Sequence, residues 1–436
     1  MLYKPLEAYY PVEFRRTDAK VLCDYIKLHQ SVQLIGMKRV GISNFLRYFL
    51  YSDSLKKKYF KDKTYRIFVP IDLNDLIECE IYPFWLLTFK RLVDVVDKSK
   101  ASDRVKVLIN GLFDKSIQTQ DYFLTVDSIR TALVLLVEKG YVPILFFVGF
   151  DRLLDAFTTD FFSNLRGLRD ATHKKLVYVF TSYRDLCELN SEVFDKNTVS
   201  VFSTLMYLRP AQSQDSKIIC ASLEEKYNLN LSKKIRQEVI SLAGGHVQYL
   251  QLSVIAINEY HIGTKASRRR ALEFVKEDER ITLQSEELYS NLTKHEQSVL
   301  TKIALDKSIP PSQIKKAHYL WETGMVEGSA SPKVFSPYMI EYLRNVVTKQ
   351  KTNSNSSKTF LTGKEHALFQ ILKEHEGDVC ERDVILSQVW AEYSAIGVSD
   401  WAIDRLVARL RKKLKQMDSD YSIKTVRTRG FMLVKQ

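Results

Sequence analysis

The stretch that decides the fold of the first half of the chain is "SVQLIGMKRVGISNFLRYFL", residues 31–50. An apolar run leads into Gly36, four residues separate it from Gly41, and an amphipathic, helix-like segment follows Ser43. This order of strand, glycine-containing turn and helix is the layout of a phosphate-binding loop, whose pattern is G-x-x-x-x-G-K-[ST]. Ile42 occupies the lysine position of that pattern. The loop therefore has the expected shape without its phosphate-neutralising charge.

Apolar strand-like runs alternate with amphipathic helix-like segments through the first half of the chain. The runs are short and rich in Val, Ile, Phe and Tyr. Continuous apolar strands separated by helices are typical of a parallel sheet that is covered on both faces. The sequence therefore predicts an α/β domain. Its strand-like runs are residues 32–36, 65–73, 142–149, 175–182 and 199–208.

The bulk composition is that of a globular protein with several domains. The chain has 436 residues, of which 45% are hydrophobic and 27% charged. It contains neither an apolar run long enough to span a membrane nor the layout of a secretory signal. The five cysteines are scattered and form no C-x-x-C pair, which argues against a disulfide framework or a zinc site. We therefore expect a cytoplasmic protein with no membrane partner and no bound metal.

The N-terminal part resembles the AAA+/STAND-type P-loop ATPases. Besides the loop, "PILFFVGFDRLLD" (143–155) resembles the family's apolar strand that ends in Asp-Glu. "SLAGGHVQYLQL" (241–252) resembles the Gly-Gly-His-Pro motif of its helical lid, with Val247 at the proline position. The resemblance covers residues 10–345 and implies a P-loop NTPase-like parallel sheet with a helical lid.

Three groups that ATP hydrolysis requires are replaced in this alignment. Ile42 stands at the phosphate-binding lysine, Val148 at the Mg²⁺-coordinating aspartate and Gly149 at the catalytic glutamate. Hydrolysis needs charge neutralisation, a metal bridge and an oriented water. The resemblance therefore implies a pseudo-ATPase with no catalytic residues. The vestigial nucleotide-binding residues are Gly36, Lys38, Gly41 and Ser43.

Two interpretations of the vestigial loop remain. Loop amides and a helix N-terminus attract phosphate, so ATP or ADP bound without hydrolysis stays open. Alternatively, Gly36 and Gly41 only form the tight turn and Ser43 caps the helix, and this interpretation is favoured. Similarly, Asp151 is expected to cap the helix that follows it, and His246 to be a helix-end residue rather than a metal ligand.

The strongest functional pattern lies in the last part of the chain. In "SDWAIDRLVARLRKKL" (399–414) the apolar residues fall on one helical face and the basic residues lie off it. "IKTVRTRGFMLV" (423–434) alternates as a β-hairpin with Gly430 at or near the turn. From Arg405 onward there are ten Lys and Arg residues against two Asp residues. A basic helix followed by a basic hairpin is a candidate nucleic-acid surface; its alternative is a solvated helix face.

Residues 360–436 resemble the winged-helix domain of OmpR/PhoB-type response regulators. The matching segments are "LTGKEHALFQIL", "SDWAIDRLVARLRKKL" and "IKTVRTRGFML". The resemblance implies that the long helix enters the major groove of double-stranded DNA and that the hairpin wing reaches the neighbouring minor groove. The DNA-contacting residues that it implies are Trp401, Ala402, Arg405, Ala408 and Arg409 on the helix, Arg411 and Lys412 at phosphates, and Arg427 and Arg429 on the wing.

Several positions depart from the pattern of this family. Its Arg-Thr pair is Trp401–Ala402, its histidine is Leu406, and Arg405 replaces a small apolar residue. The base preference therefore does not carry over.

The predicted boundaries are 1–210 for the degenerate ATPase-like α/β domain, 211–265 for the lid, 266–347 for a middle winged-helix-like domain, 348–358 for a flexible linker and 359–436 for the terminal winged helix.

These features predict a DNA-binding, transcription-regulating protein associated with the bacterial nucleoid. In it, an inactive AAA+/STAND-like module positions, oligomerises or gates the terminal DNA reader. The expected partners are double-stranded DNA, a second copy of the chain and a protein bound through the ATPase-like module. The alternative is an oligomerising STAND-like sensor or defence protein, or a DNA-loading protein, whose winged helix binds a partner or binds DNA non-specifically.

Overall fold

The computed structural model describes residues 4–189, 193, 204–259, 273, 275–353, 361, 363–389, 400–417, 420–426 and 429–435. The chain divides into two compact units, Met1–Arg344 and Asn345–Gln436. Among the described residues, none of the helices is both long and apolar enough to cross a membrane.

A parallel sheet forms the centre of the first unit. Its strand order is β2-β3-β4-β1-β5, and each neighbouring pair is parallel. The predicted α/β fold is confirmed. The strands are β1 (Val32–Ile35), β2 (Tyr65–Asp72), β3 (Tyr141–Val148), β4 (Val177–Ser182) and β5 (Thr204–Tyr207).

Both faces of this sheet are covered, which is why its strands read as continuous apolar runs. Successive residues of a strand point to opposite faces. Along β3, Ile144 and Phe146 accordingly lie in one apolar core, whereas Leu145 and Phe147 lie in another. The helices of this part are α1 (Arg16–Lys27), α2 (Ile42–Tyr51), α3 (Asp53–Tyr59), α4 (Ile81–Lys98), α5 (Asp103–Thr119), α6 (Tyr122–Glu138), α7 (Thr159–Ala171) and α8 (Leu186–Leu189).

The remainder of the first unit is helical apart from one short ribbon. The ribbon consists of β6 and β7, which pair antiparallel between helices. The elements are α9 (Ser213–Lys226), α10 (Lys233–Ala243), α11 (Val247–Glu259), α12 (Glu279–Ser290), α13 (Lys294–Ala304), α14 (Pro311–Lys316), α15 (His318–Glu322), β6 (Val326–Glu327), β7 (Lys333–Val334) and α16 (Pro337–Asn353). Helix α16 begins in the first unit, and its residues from Asn345 onward belong to the second.

The flexible linker predicted at residues 348–358 requires a correction in its first half. Helix α16 continues to Asn353. Extending an existing helix adds one hydrogen bond per residue and avoids the cost of nucleation, so a polar stretch containing Lys and Gln can prolong it. Residues 354–358 lie outside the described part of the chain.

The second unit has the helices and the hairpin of a winged helix, as predicted. Its antiparallel sheet has the order β8-β10-β9. Gly430 opens β10 and lies opposite Val426, so the hairpin turn falls where the sequence indicated. The elements are α17 (Gly363–Glu374), β8 (Cys380–Glu381), α18 (Arg382–Val389), α19 (Asp400–Gln416), β9 (Tyr421–Val426) and β10 (Gly430–Lys435).

Candidate nucleic-acid interface and vestigial phosphate loop

The loop after β1 is a glycine-containing turn that leads into α2. Gly41 has a φ of 113° and is the N-cap residue of α2. Arg39, also in the left-handed region, has a φ of 62°. The amide of Val40 donates to the carbonyl of Met37 over 3.1 Å, and both side chains are buried. The loop is thus a closed turn that leads from the sheet directly into the helix.

The start of α11 packs against this turn. A Cβ atom added to Gly41 would lie 2.5 Å from Cγ2 of Val247. His246 Nε2 donates to the carbonyl of Lys38 over 2.9 Å, and its Nδ1 accepts from the amide of Tyr249 over 3.3 Å. Burial lowers the pKa of His246 to about 4, so its ring is neutral at pH 7, as these two bonds require. His246 thus ties the start of α11 to the loop.

The two cations inside the loop already have partners. Lys38 Nζ lies 4.8 Å from the centroid of the Tyr183 ring. Arg39 Nε donates to Glu287 Oε2 over 2.9 Å. Burial raises the pKa of Asp151, and the charge of Lys38 opposes that rise. The structure therefore brings Lys38, Asp151 and Tyr183 together where β3 and β4 end.

Two capping expectations are wrong. Helix α2 begins at Ile42, and its N-cap Gly41 makes no side-chain capping bond. Ser43 is therefore already inside the helix, where its side chain is exposed. Gly149, not Asp151, is the N-cap of the 3-10 helix Phe150–Ala156. In both cases the N-cap is a left-handed glycine that lies two residues before the polar residue suggested by the sequence.

The end of β3 carries no carboxylate at the two positions where the family has them. Val148 is the last residue of the strand, and Gly149 follows it with a φ of 72°. The amide of Gly149 donates to Thr181 Oγ1 over 2.8 Å. This bond holds the turn after β3 in place. Neither Val148 nor Gly149 carries a carboxylate that could bind Mg²⁺ or activate water.

A buried ion pair joins this sheet edge to α13, and sequence reasoning missed it. Arg184 contacts Glu296 through two bonds, Nη1–Oε1 at 3.0 Å and Nη2–Oε2 at 2.8 Å. The two side chains are 7% and 5% exposed. The guanidinium also lies 4.0 Å from the ring centroid of Tyr319. Helix α13 is therefore fastened to the sheet by a specific polar contact, which sequence spacing alone does not reveal.

In the second unit, α19 presents the predicted apolar face to the core. All members of that face are at most 3% exposed. On the rest of the helix, Ala408 and Lys412 are exposed, whereas Arg405 and Arg409 are half-buried. The buried residues are Ile403, Leu406, Val407, Leu410 and Leu414.

Arg411, inferred from the family to contact phosphate, is engaged within the domain. Its Nε donates to the carbonyl of Ile423 over 2.9 Å and its Nη2 to Thr425 Oγ1 over 2.7 Å. Both acceptors belong to β9, so this side chain sets the position of the hairpin relative to α19. Burial lowers the pKa of Arg411, consistent with a partly desolvated guanidinium.

A buried carboxylate, that of Glu365, lies beside α19. Glu365 is 1% exposed, and its Oε2 lies 2.5 Å from Lys413 Nζ. Its Oε1 lies 4.0 Å from Arg409 Nε. Part of the basic excess of α19 is thus neutralised inside the domain, and Arg409 contacts Glu365 in addition to its predicted role toward DNA.

Exposed cations remain on the helix and the hairpin. Lys412, Lys424 and Arg429 are exposed, and we call these three residues the cationic edge. Arg427 lies outside the described residues, as do the side chains of Trp401 and Ala402. The proposed contacts of those three residues with DNA stay predictions.

Comparisons with known proteins agree with this architecture. Residues 356–433 match the family model described as "Transcriptional regulatory protein, C terminal". The response regulator ArlR of Staphylococcus aureus, in strains Mu50 and MW2, is 34% identical over 83 residues, or 19% of this chain. The chain spans 37% of the length of these relatives. The resemblance of the C-terminal segment to a response-regulator DNA-binding domain is confirmed.

Two solved structures are similar to the larger part of the chain. A Walker-type ATPase of Pyrococcus abyssi is 16% identical, with a TM-score of 0.47, and the match covers 79% of this chain and 99% of that one. The ORC2 protein of Aeropyrum pernix is 12% identical, with a TM-score of 0.45, and the match covers 79% and 97%. The narrower STAND-type resemblance stays a prediction.

Proposed function

We propose that this chain is a DNA-binding transcriptional regulator whose C-terminal winged helix reads double-stranded DNA at the bacterial nucleoid. The observation that carries the proposal is the cationic edge of Lys412, Lys424 and Arg429 within a segment that matches the regulatory family. Exposed cations on a helix and a hairpin neutralise phosphates, and α19 is also exposed at Ala408. Arg411 supports this reading because it holds the helix and the hairpin in a fixed geometry.

We also propose that the P-loop unit hydrolyses no ATP and instead positions, oligomerises or gates the reader. Ile42, Val148 and Gly149 supply neither the charge nor the carboxylates that phosphoryl transfer uses. Val247 packs on Gly41, and Glu287 engages Arg39. These contacts favour a structural turn. Binding of ATP or ADP without hydrolysis stays a prediction.

The DNA-binding proposal is tested by two adjacent residues with different roles. We expect Lys412→Ala to weaken DNA binding about 3- to 10-fold and to reduce the salt slope by about one, because it removes one phosphate contact. Its thermal unfolding should not change. Arg411→Ala should weaken binding and also lower the unfolding temperature of the second unit, because it removes two hydrogen bonds to β9. Fluorescence anisotropy over a salt series and calorimetry provide the two readouts.

Lys373→Ala is the matched control for these variants. It removes the same charge from α17. Lys373 Nζ lies 5.9 Å from the ring centroid of Tyr421, the first residue of β9, at the end of that strand away from the hairpin turn. Its affinity for DNA should equal that of the wild type. Equal affinities for wild type and a Lys412→Ala/Arg429→Ala double variant would contradict the proposal.

A turnover assay tests the pseudo-ATPase proposal. We expect purified wild-type chain to release phosphate from Mg²⁺–ATP no faster than Ser43→Ala, which lacks the remaining hydroxyl of the loop. Ile42→Lys should also fail to hydrolyse ATP, because the restored charge still lacks the two carboxylates at Val148 and Gly149. Wild-type turnover that disappears in Ser43→Ala would overturn the proposal.

A further inference from the structure

An exposed apolar groove runs between α5 and α6, two successive helices of the first unit that we call the α5–α6 hairpin. The groove has a volume of about 680 Å³. Val107 is 70% exposed and Leu108 is 49% exposed, both on α5. Val134 and Leu135 line the opposite wall on α6. Large apolar side chains grouped at the surface of one groove are typical of an interaction site rather than of a solvated face.

A glycine in the same groove has open space beside it. Gly111 lies in the interior of α5, lines the groove and is exposed. A Cβ atom added there would meet nothing within 4 Å among the described residues. Glycine in an exposed helix interior costs about 1 kcal/mol relative to alanine. An exposed glycine without a neighbouring atom fits the close approach of a second helix.

The charges of the groove are spaced so that two antiparallel copies of α6 can pair them. Arg130 and Glu138 flank Val134 on α6, four residues before it and four after it. When two copies of α6 cross antiparallel with the axis at Val134, Arg130 of one copy lies opposite Glu138 of the other, twice. Among the described residues neither side chain has an ion-pair partner within 4.0 Å. An isologous interface requires this kind of self-complementary surface.

We propose that a second copy of this chain occupies the groove, forming a two-fold homodimer of α5–α6 hairpins. Each helix has 17 residues. A helix of that length spans about 25 Å, so two helices about 9 Å apart present a face of roughly 500 Å² per copy. A total of about 1,000 Å² is near the lower limit for a specific interface, so we expect a dimer with a micromolar dissociation constant. Such a dimer delivers two DNA readers together and raises their joint affinity for paired sites.

Charge reversal tests the dimer in the full-length chain. We expect sedimentation velocity of the wild type to show dimer increasing between about 1 and 100 µM. Arg130→Glu and Glu138→Arg should each weaken dimerisation at least tenfold, because each reversal opposes two like charges across the axis. The double variant R130E/E138R should recover to within about threefold of the wild type, because both pairs are restored with inverted sign. Lys63→Glu, an exposed reversal before β2, should have no effect.

Cross-linking provides a second readout that does not depend on charge. In a Cys79→Ser/Cys187→Ser background, Val134→Cys should form a disulfide-linked dimer, because the two copies of residue 134 meet at the axis. Phe123→Cys, which is 72% exposed in the wild type, should not cross-link, because it lies about 16 Å along α6 from that axis. A monomer at all concentrations, unchanged dimerisation in both single reversals, or equal cross-linking at positions 134 and 123 would overturn the proposal.

Discussion

Arg184→Met is expected to lower the unfolding free energy of the first unit by about 3–5 kcal/mol. The substitution keeps an unbranched side chain against Tyr319 but removes both hydrogen bonds to Glu296. The Glu296 side chain is 5% exposed, so its carboxylate would remain buried without its cation. Leaving one partner of a buried pair uncompensated costs far more than the pair itself contributes. Denaturant unfolding of the full-length chain measures the effect.

The double variant Arg184→Met/Glu296→Leu separates that penalty from lost packing. Replacing both charges removes the stranded carboxylate, so the double variant should be more stable than Arg184→Met alone. Arg166→Ala is the control, because it breaks an exposed pair with Asp170 at 3.9 Å and should change stability little. An Arg184→Met protein as stable as the wild type would mean that the sheet and α13 are not held together by this contact.

Gly430→Ala is expected to unfold the hairpin of the second unit and to abolish DNA binding. An alanine Cβ at this position would lie 2.0 Å from the carbonyl oxygen of Cys380 and 3.0 Å from Cα of Glu381. Both neighbours are backbone atoms of β8, so the strand would have to leave β10. Strain of this kind belongs to the substitutions that cost several kcal/mol. Limited proteolysis should then cleave the second unit while the first unit stays resistant.

Gly377→Ala is the matched control for this prediction. Gly377 has a φ of 84°, and a Cβ atom added there meets nothing within 4 Å. Only the left-handed backbone opposes alanine, which costs about 1–2 kcal/mol. The Gly377→Ala variant should therefore stay folded and bind DNA. If Gly430→Ala bound DNA as well as Gly377→Ala, the hairpin would not be needed for recognition.

Much of the fold follows from patterns that are local in sequence. The continuous apolar runs around Ile144 and Val179 predicted buried parallel strands, and the spacing from Ile403 to Leu414 predicted the inward face of α19. These predictions succeed because the period of apolar residues reports directly on burial. The position of Gly430 likewise marked the hairpin turn.

The roles of individual polar residues could not be predicted in the same way. The phosphate contact of Arg411 stays a prediction, and its bonds to β9 were not foreseen. Arg184 and Glu296 are 112 positions apart, so no local spacing links them. Val247 was recognised only as a departure from a motif, not as the residue that packs on Gly41. A sequence pattern shows which side chains are polar, whereas the tertiary fold decides which of them are already engaged.

The central claim is that the second unit makes this chain a sequence-selective DNA-binding protein. The most direct test is capture of fragmented genomic DNA by the purified full-length chain at near-physiological salt, followed by sequencing, with Lys412→Ala/Arg429→Ala as the paired variant. We predict a small number of sharp peaks that share a repeated short motif, and the loss of those peaks in the variant. A flat profile for the wild type, or identical peaks from both proteins, would contradict the claim.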